Sequence, residues 1–316
     1  MGPRLKSQRF QWIRIERREI LNLMSASKFG PNQLSKTDLK KKKFLWYNGD
    51  CLDIIDQLPA ESMQLIVTSP PYGIKKEYEK EVTLADSIAF QEEVIEECYR
   101  LIAPGGSICW QVGNYVEGEG GERVPWDILL YKSFRRLGLK LRSRIIWTYD
   151  HGMHAKHFFS GRYETIMWFT KSDDYYFNLD AVRVPQKQPM KKFYKGPRKG
   201  EFSCHPLGKN PGDVWSITNI KNGHPEKIPG GHPCQFPLAL VNRLIKSMTK
   251  KGDMVFDPFG GTATSIVASM LLGRIGVGSE IDRNYHRVGL QRIKKAQSVL
   301  ATGKPVSGIT SSDKTL

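Results

Sequence analysis

Short apolar segments alternate with longer amphipathic segments along most of this chain, and this alternation constrains its fold more than any other feature. Strand patterns occur at residues 44–47, 64–68, 107–112, 141–149, 164–170, 254–256 and 274–280. Helical patterns occur at residues 51–58, 84–103, 125–137, 236–249, 262–272 and 284–297. We therefore predict an α/β fold in which a doubly wound, mostly parallel sheet carries helices on both faces. Such sheets bind ligands at the carboxyl ends of their strands.

A glycine-rich loop follows one of these strand ends. It consists of Asp257, Pro258, Phe259, Gly260, Gly261 and Thr262. The two glycines let the backbone turn sharply and approach a ligand, and the helix that follows offers free N–H groups. Glu280 ends the next strand, where a carboxylate can accept hydrogen bonds from ribose hydroxyls. The pattern favours a ligand site over a purely structural turn. Because it lacks the Gly-x-Gly-x-x-Gly spacing, a nicotinamide or flavin cofactor is not the first choice.

The most specific feature is the turn Ser69-Pro70-Pro71-Tyr72, which follows the strand pattern at 64–68. Each proline fixes φ at about −65° and lacks an N–H donor, so the turn is stiff and mainly presents acceptors. The Ser69 hydroxyl can also accept, and the Tyr72 ring can stack on a planar ligand. An exocyclic amine of a nucleobase is a poor nucleophile, because its lone pair is delocalised into the ring. Two acceptors that hold its hydrogens orient that lone pair, and this turn suits the task.

These motifs resemble those of the S-adenosylmethionine-dependent amino-methyltransferases of DNA. The similar segments are TSPPYG at 68–73, DPFGGTAT at 257–264, GVGSEIDRNYH at 276–286, NGDCLDIIDQLP, PGGSICW, RYETIMWFTKS, DVWSI and HPCQFP. Their order, with the tetrapeptide first and the glycine-rich loop last, is similar to that of the β-group. The resemblance covers residues 44–297, is weakest over 186–231, and implies a Rossmann-like class I methyltransferase fold with a permuted motif order.

The resemblance also implies roles for individual residues. The family uses the tetrapeptide, here Ser69, Pro70, Pro71 and Tyr72, to hold the target base. The loop residues Phe259, Gly260, Gly261 and Thr262 would line the methionine part of S-adenosyl-L-methionine, with Asp50 at the adenine, Glu280 at the ribose and HPCQFP closing the pocket. Asp257 and Pro258, which begin the loop, are also candidates for cofactor binding. Serine at the first tetrapeptide position is usual in N4-cytosine enzymes and aspartate in N6-adenine enzymes, so Ser69 favours cytosine N4. One departure is Ala263, which stands where many members have a second glycine of the loop.

Most of the net charge of +16 lies in two segments. Residues 1–43 contribute +9 and residues 186–231 contribute +6, while the rest of the chain is nearly neutral. Localised positive charge favours a nucleic acid partner over a solvated basic tail and loop. The second segment, in which 13 of 46 residues are Gly or Pro, is predicted to be a loop-rich insertion that recognises double-stranded DNA. Its candidate DNA contacts are Lys191, Lys192, Lys195, Arg198 and Lys199, with Arg198 suited to a guanine edge.

These features divide the chain into five parts. We predict a basic arm at 1–43, a catalytic half at 44–185, the target-recognition insertion at 186–231, a cofactor-binding half at 232–300 and a disordered tail at 301–316. No metal is expected: the five cysteines form no CxxC pair, and His151, His154 and His157 are more simply explained as residues of a loop that faces the DNA. No apolar run is long enough to cross a membrane, and the basic start lacks a signal core, so we expect a cytoplasmic protein associated with the nucleoid of a prokaryote.

The sequence therefore predicts a site-specific DNA methyltransferase that modifies the N4 amine of an extruded cytosine. A restriction-modification context follows from the resemblance, with a cognate restriction endonuclease as functional partner and a homodimer as one possible assembly. N6-adenine methylation of DNA, methylation of RNA or of a protein amide, and a catalytically silent DNA-binding protein of the same fold are the alternatives.

Overall fold

The computed structural model describes residues 34–71, 83–117, 122–150, 152, 154–228 and 230–304. The helices are α1 (Lys36–Lys41), α2 (Cys51–Gln57), α3 (Leu84–Leu101), α4 (Trp126–Arg136), α5 (Leu238–Met248), α6 (Thr264–Leu271) and α7 (Arg283–Thr302). The strands are β1 (Phe44–Asn48), β2 (Met63–Thr68), β3 (Ile102–Val112), β4 (Asn114–Glu117), β5 (Glu122–Pro125), β6 (Lys140–Thr148), β7 (Tyr163–Thr170), β8 (Val214–Ser216), β9 (Met254–Asp257) and β10 (Ile275–Glu280). A short 3-10 turn covers Asp180–Val182.

The central sheet has eight strands in the order β1-β10-β9-β2-β3-β7-β6-β8. The first five of these strands run parallel to one another, β3 and β7 pair antiparallel, as do β7 and β6, and β8 returns to a parallel pairing with β6. Two helical groups pack with this sheet, α2–α4 and α5–α7. The predicted doubly wound, mostly parallel α/β fold is confirmed.

The two faces of the sheet carry different cores. On one face, Leu65 and Val67 of β2 belong to the same buried cluster as the apolar residues of α5 and α6. On the other face, Trp110 of β3 lies edge-on to Phe134 at 5.8 Å between ring centroids, and Phe134 stacks on Phe169 at 4.4 Å. Because successive side chains of a strand point to opposite faces, the all-apolar strand pattern is what a sheet covered on both sides requires.

The sheet order brings two distant parts of the sequence together. Strands β2 and β9 are neighbours, with Leu65 opposite Val255 and Ile66 opposite Phe256. Because both strands run in the same direction, the turn after β2 and the glycine-rich loop after β9 emerge at the same edge. This edge is where the candidate site lies.

Two segments differ in detail from the sequence prediction. Helix α3 ends at Leu101, just before the Pro-Gly-Gly sequence, and the chain enters β3 at once. The Pro-Gly-Gly residues lie within β3 and form an irregularity there, opposite which the register of β2 shifts between Met63 and Leu65. Gly105 accommodates it with φ of +75°. Within the insertion, β8 extends the sheet and buries Trp215, although its three residues are too short to give a strand pattern.

The ends of the described chain are more ordered than the pattern of charges indicates. Helix α1 lies inside the segment predicted as a basic arm, yet its Leu39 is completely buried, and the Leu34 N–H donates to the Gln57 carbonyl at 3.0 Å. Helix α7 continues to Thr302, into the predicted tail. The arm residues 1–33 and the tail residues 305–316 lie outside the described residues.

Candidate active site

A buried carboxylate joins the two halves of the site. Asp257, at the end of β9, accepts hydrogen bonds from the hydroxyls of Thr68 and Ser265, both at 2.6 Å, and from the Phe259 N–H at 3.1 Å. Its burial raises the pKa of this carboxyl to about 6, while the three donors oppose that rise. Thr68 immediately precedes Ser69, so this bond fixes the Ser-Pro-Pro turn beside the glycine-rich loop across 189 residues of sequence.

The glycine-rich loop lies too close to the sheet for a side chain. The Gly260 N–H donates to the Ser279 carbonyl at 2.8 Å, and a Cβ added at Gly260 would stand 2.5 Å from the Trp46 ring. Gly261 has φ of +55° and Ala263 has φ of +62°, so the loop passes through the left-handed region twice before helix α6 begins. The alanine that departs from the family pattern therefore adopts a conformation that glycine favours.

Glu280 lies on the other side of this loop. Its Oε2 accepts from the Gly261 N–H and its Oε1 from the Asp282 N–H, both at 2.8 Å. Burial is the main reason why the pKa of Glu280 is raised to about 7. A second lone pair on each oxygen remains able to accept from a ligand hydroxyl.

Asp50 is held next to Glu280 by the pairing of β1 with β10. Asn48 is opposite Glu280 in the register, and its side-chain amide donates to the Glu280 carbonyl at 2.8 Å. The Gly49 N–H donates to the same carbonyl at 3.1 Å. Asp50 follows directly and caps helix α2 by accepting from the Leu52 N–H at 3.0 Å. The cofactor candidates of the two halves of the sequence therefore line one edge.

The Ser-Pro-Pro turn is anchored by a residue that the sequence analysis missed. Ser69 is half-buried, Pro70 is buried and Pro71 is exposed. The Pro71 carbonyl accepts a hydrogen bond from Gln91 Nε2 at 2.9 Å, and Gln91 Oε1 accepts from the Trp110 indole N–H at 3.0 Å. The fourth tetrapeptide residue, Tyr72, lies outside the described residues.

Aromatic rings connect the turn's surroundings with the glycine-rich loop. Phe259 is half-buried, and its ring lies edge-on to Phe90 at 5.9 Å and to Trp110 at 6.3 Å between centroids. Phe90 and Gln91 are consecutive residues of α3, so one helix contacts both halves of the site. A signal for Gln91 was present in the sequence, because it stands in the apolar stripe that α3 otherwise fills with Val94, Ile95, Cys98 and Leu101.

The HPCQFP segment lies against the glycine-rich loop. A Cβ added at Gly261 would stand 3.7 Å from His232 Cγ. Gln235 is buried, and its Nε2 donates to the Glu226 carbonyl at 2.8 Å. Glu226, which the sequence analysis did not single out, is also buried and accepts from the Leu238 N–H at 2.9 Å. The end of the insertion is thus fastened beside the loop through Glu226.

The basic insertion contains an ordered hairpin between Lys191 and Ser203. The Ser203 N–H donates to the Lys191 carbonyl, and the Phe193 N–H donates to the Glu201 carbonyl, both at 2.9 Å. At the tip of this hairpin, the Lys199 N–H closes a turn by donating to the Gly196 carbonyl at 3.0 Å. The insertion is therefore structured where its charge is densest.

All five basic residues predicted to contact DNA lie on this hairpin and are exposed: Lys191, Lys192, Lys195, Arg198 and Lys199. Arg198 pairs with Glu201 at 2.8 Å, and its guanidinium lies 4.5 Å from the centroid of the Phe193 ring. The pairing with Glu201 uses Arg198 Nε, so a guanine contact by Arg198 would fall to the terminal nitrogens of the guanidinium. Lys192 lies 5.1 Å from the centroid of the Phe202 ring.

Two further expectations concern metals and membranes. Among the residues that the structure describes, no three His, Cys, Asp or Glu side chains are grouped so as to hold a metal ion. His154 and His157 are exposed, and His151 lies outside the described residues. Over the same part of the chain, no helix combines the length and apolarity that a membrane span needs.

Comparison with known proteins identifies a family. A family model described as "DNA methylase" (N6_N4_Mtase) matches residues 63–291, which include the Ser-Pro-Pro turn, the insertion and the glycine-rich loop. The Type II methyltransferase M.BglII of Bacillus subtilis is 43% identical over 261 residues, covering 83% of this chain and 72% of the relative. The DNA adenine methyltransferase YhdJ of Escherichia coli is 32% identical over 255 residues, covering 79% of this chain and 82% of the relative.

A solved structure has the same fold. The TTHA0409 protein of Thermus thermophilus, complexed with S-adenosyl-L-methionine, superposes with a TM-score of 0.58 at 24% identity. The match covers 80% of this chain and 94% of that protein. At this identity the likeness concerns the fold.

Proposed function

The chain belongs to the DNA methylase family, and we propose that it methylates the exocyclic N4 amine of a cytosine within a specific DNA sequence. It is a DNA methyltransferase whose methyl donor is S-adenosyl-L-methionine. The observation that supports methyl transfer at this site is the hydrogen bond between Thr68 and Asp257, because it holds a stiff acceptor turn next to the loop that we assign to the cofactor. Methyl transfer requires the turn that holds the amine and the loop that binds the cofactor to lie close enough for the amine to reach the cofactor's methyl group.

The residues at the loop fit the cofactor. Gly260 leaves no room for a Cβ because the Trp46 ring lies against it, so the loop backbone packs directly on the sheet, and the Gly261 N–H donates to Glu280. We assign the ribose hydroxyls to the Glu280 carboxylate, the adenine to Asp50, and the methionine part to the loop from Asp257 to Thr262. When bound, S-adenosyl-L-methionine supplies a methyl group on a positively charged sulfur.

The target base is assigned to the Ser-Pro-Pro turn. The Ser69 hydroxyl and the Pro70 carbonyl would accept the two hydrogens of the amine, which turns the nitrogen lone pair toward the cofactor loop. Because the methyl donor is already activated, positioning supplies most of the catalysis. The base has to leave the helical stack to reach this turn, and Tyr72 is expected to stack on it, a contact worth roughly 1–3 kcal/mol.

Ser69 is the reason for preferring cytosine. In the resembling enzymes, serine at this position accompanies N4-cytosine specificity. N6-adenine methylation is the alternative, and the similarity of this chain to an adenine methyltransferase supports it. The same residues argue against a catalytically silent protein, because the loop, Glu280, Asp50 and the turn are all present.

The hairpin at 191–203 is the proposed DNA contact. Its exposed lysines would neutralise phosphates, and a restriction-modification role would pair the enzyme with a nuclease of the same specificity. The division into a catalytic half, an insertion and a cofactor-binding half, a homodimeric assembly and action at the nucleoid in the cytoplasm belong to the same proposal.

The test is the chemical identity of the methylated base. The protein is expressed in bacteria that lack DNA methyltransferases, the DNA is digested to nucleosides, and N4-methyldeoxycytidine and N6-methyldeoxyadenosine are quantified by mass spectrometry. We expect N4-methyldeoxycytidine in the wild type and its loss in Ser69→Ala, which still binds the cofactor. Detection of N6-methyldeoxyadenosine alone would show that the target base is adenine instead of cytosine. Detection of neither product would refute the proposed methyltransferase activity. Sequencing that detects modified bases then gives the recognition sequence.

A further inference from the structure

We propose that Gln91 is a positioning residue of this methyltransferase: it fixes the Ser-Pro-Pro turn by holding the Pro71 carbonyl, so that the remaining acceptors of the turn face the target amine. The proposal rests on the proposed function only in that DNA is methylated at this turn, and it holds for either base. No sequence motif assigns Gln91, and it touches neither cofactor nor base in the proposed arrangement.

The geometry leaves Gln91 a single orientation. Its Oε1 accepts from the Trp110 indole N–H at 3.0 Å, and indole nitrogen is a donor only. The amide therefore has to direct its Nε2 away from Trp110, and there it donates to the Pro71 carbonyl at 2.9 Å. Because Trp110 and Gln91 are both completely buried, water does not compete for the bond between them.

Few other interactions can fix the position of the Ser-Pro-Pro turn. Two consecutive prolines remove two N–H groups that would anchor an ordinary turn, so its position has to come from the carbonyls and from packing. One carbonyl used as an anchor, that of Pro71, leaves the Pro70 carbonyl and the Ser69 hydroxyl for the substrate. A shift of about 1 Å in such acceptors can cost roughly 100-fold in rate, because transfer from an activated donor depends on alignment.

The alternative explanation is a purely structural role, in which the hydrogen bonds of Gln91 only offset the cost of burying polar groups. That explanation accounts for the bond to Trp110, because a buried indole N–H without an acceptor costs free energy. It does not account for the second bond, in which Nε2 donates to the carbonyl of the exposed Pro71. The two consecutive residues Phe90 and Gln91 contact opposite halves of the site, at Phe259 and Pro71. A polar residue at the one position of the stripe that reaches the turn is what a positioning role requires.

The experiment compares two glutamines that each donate to a backbone carbonyl. Gln91→Met removes the donor to the Pro71 carbonyl with little change in volume. It also removes the acceptor of the Trp110 indole N–H, and the melting temperature reports that structural cost. The control is Gln64→Met: Gln64 lies at the opposite end of β2, and its Nε2 donates to the Gly105 carbonyl at 3.1 Å. Single-turnover methyl transfer to plasmid DNA, the Kd for S-adenosyl-L-methionine by calorimetry, and the melting temperature are measured for both variants and the wild type.

We expect Gln91→Met to lower the single-turnover rate roughly 10- to 100-fold, with the cofactor Kd within about twofold of wild type. Gln64→Met should lose at most about twofold in rate. An equal loss in both variants, no loss in Gln91→Met, or a cofactor Kd that weakens in proportion to the rate would each overturn the proposal.

A second variant keeps the test decisive if Gln91→Met unfolds. In Gln91→Glu, the carboxyl can donate to the Pro71 carbonyl only when protonated, and the ionised form would repel that carbonyl. We expect the rate of Gln91→Glu relative to wild type to rise as the pH is lowered, and a ratio that does not change with pH would overturn the proposal. The wild-type product separates this outcome from the proposed function, since it reports cytosine or adenine whatever Gln91 does.

Discussion

Cofactor binding is expected to weaken as the pH falls through 7, because Glu280 has to be ionised to accept the ribose hydroxyls. Its two oxygens already accept from the backbone N–H groups of Gly261 and Asp282. Only the carboxylate form therefore has a further lone pair on each oxygen that can accept from the ribose hydroxyls. Burial raises the pKa of Glu280 to about 7, so this carboxyl titrates near neutrality. A protonated carboxyl would turn an acceptor into a competing donor.

The size of the effect follows from the ionised fraction. With a pKa of about 7, about nine-tenths of Glu280 is ionised near pH 8 and about a quarter near pH 6.5. If only the ionised form binds, the apparent Kd for S-adenosyl-L-methionine rises about fourfold between these two pH values. Asp257 adds little over this range, since the pKa of that carboxyl is about 6.

Calorimetric titration of the DNA-free protein with cofactor measures this dependence directly. In Glu280→Gln the charge cannot change, so the Kd should be weaker throughout and constant over the same range. The control for a general effect of acid is the melting temperature of each protein without cofactor. A wild-type Kd that stays constant, or a slope that persists in Glu280→Gln, would refute the assignment of Glu280 to the ribose.

Three further outcomes are expected. Thr68→Val removes a donor from the buried Asp257 carboxyl and should lower the free energy of unfolding by about 1–3 kcal/mol in urea titrations; an unchanged stability would contradict the importance of that bond. Gly260→Ala places a carbon 2.5 Å from a neighbouring indole ring, so calorimetry should show cofactor binding weakened at least about tenfold, and wild-type affinity would show that the loop tolerates displacement. Charge reversal of Lys195 and Lys199 at the hairpin tip should weaken DNA binding and flatten its dependence on salt in filter-binding titrations, with cofactor Kd unchanged; an unchanged salt dependence would place the DNA elsewhere.

The strand–helix alternation was sufficient to predict the fold, because a sheet buried on both faces imposes continuous apolar strands. It was also sufficient to predict that the glycine-rich loop and the Ser-Pro-Pro turn follow strand ends, since neither segment has an apolar periodicity of its own. The order of strands in the sheet was not predictable from the pattern. That order makes β2 and β9 neighbours and so makes the bond between Thr68 and Asp257 possible.

Supporting residues were harder to predict than the motifs. Gln91 differs from its helix neighbours only in polarity, and its partners lie in β3 and in a turn 20 residues earlier in the chain. Glu226 sits in a loop among other charged residues, and nothing in the local sequence shows that it is buried. Such residues are defined by what packs around them, which a single sequence does not contain.

For the basic hairpin, the positive charge was predictable from the sequence, but the contacts that each basic residue makes were not. Five basic residues within nine positions indicate an anionic partner. The structure shows that Arg198 is held by Glu201 and by the Phe193 ring, which leaves the hairpin's remaining positive charge with its lysines. A lysine interacts with phosphate as a point charge, so the hairpin as folded suits binding to the DNA backbone better than direct reading of a base.

Charge is distributed in this protein so that the site and the DNA contact do not interfere. Nearly all of the net charge of +16 lies in residues 1–43 and 186–231, which leaves the rest of the chain nearly neutral. At the carboxyl edge of the sheet, however, Asp257 and Glu280 are carboxyl groups whose pKa values burial raises to about 6 and about 7. A ligand that carries a positive sulfur favours their ionised forms, so cofactor binding near neutral pH is expected to release protons and to make this edge more negative when it is occupied. The proton release is measurable as a difference in binding enthalpy between buffers of different ionisation enthalpy, and its absence in Glu280→Gln would locate it at the ribose.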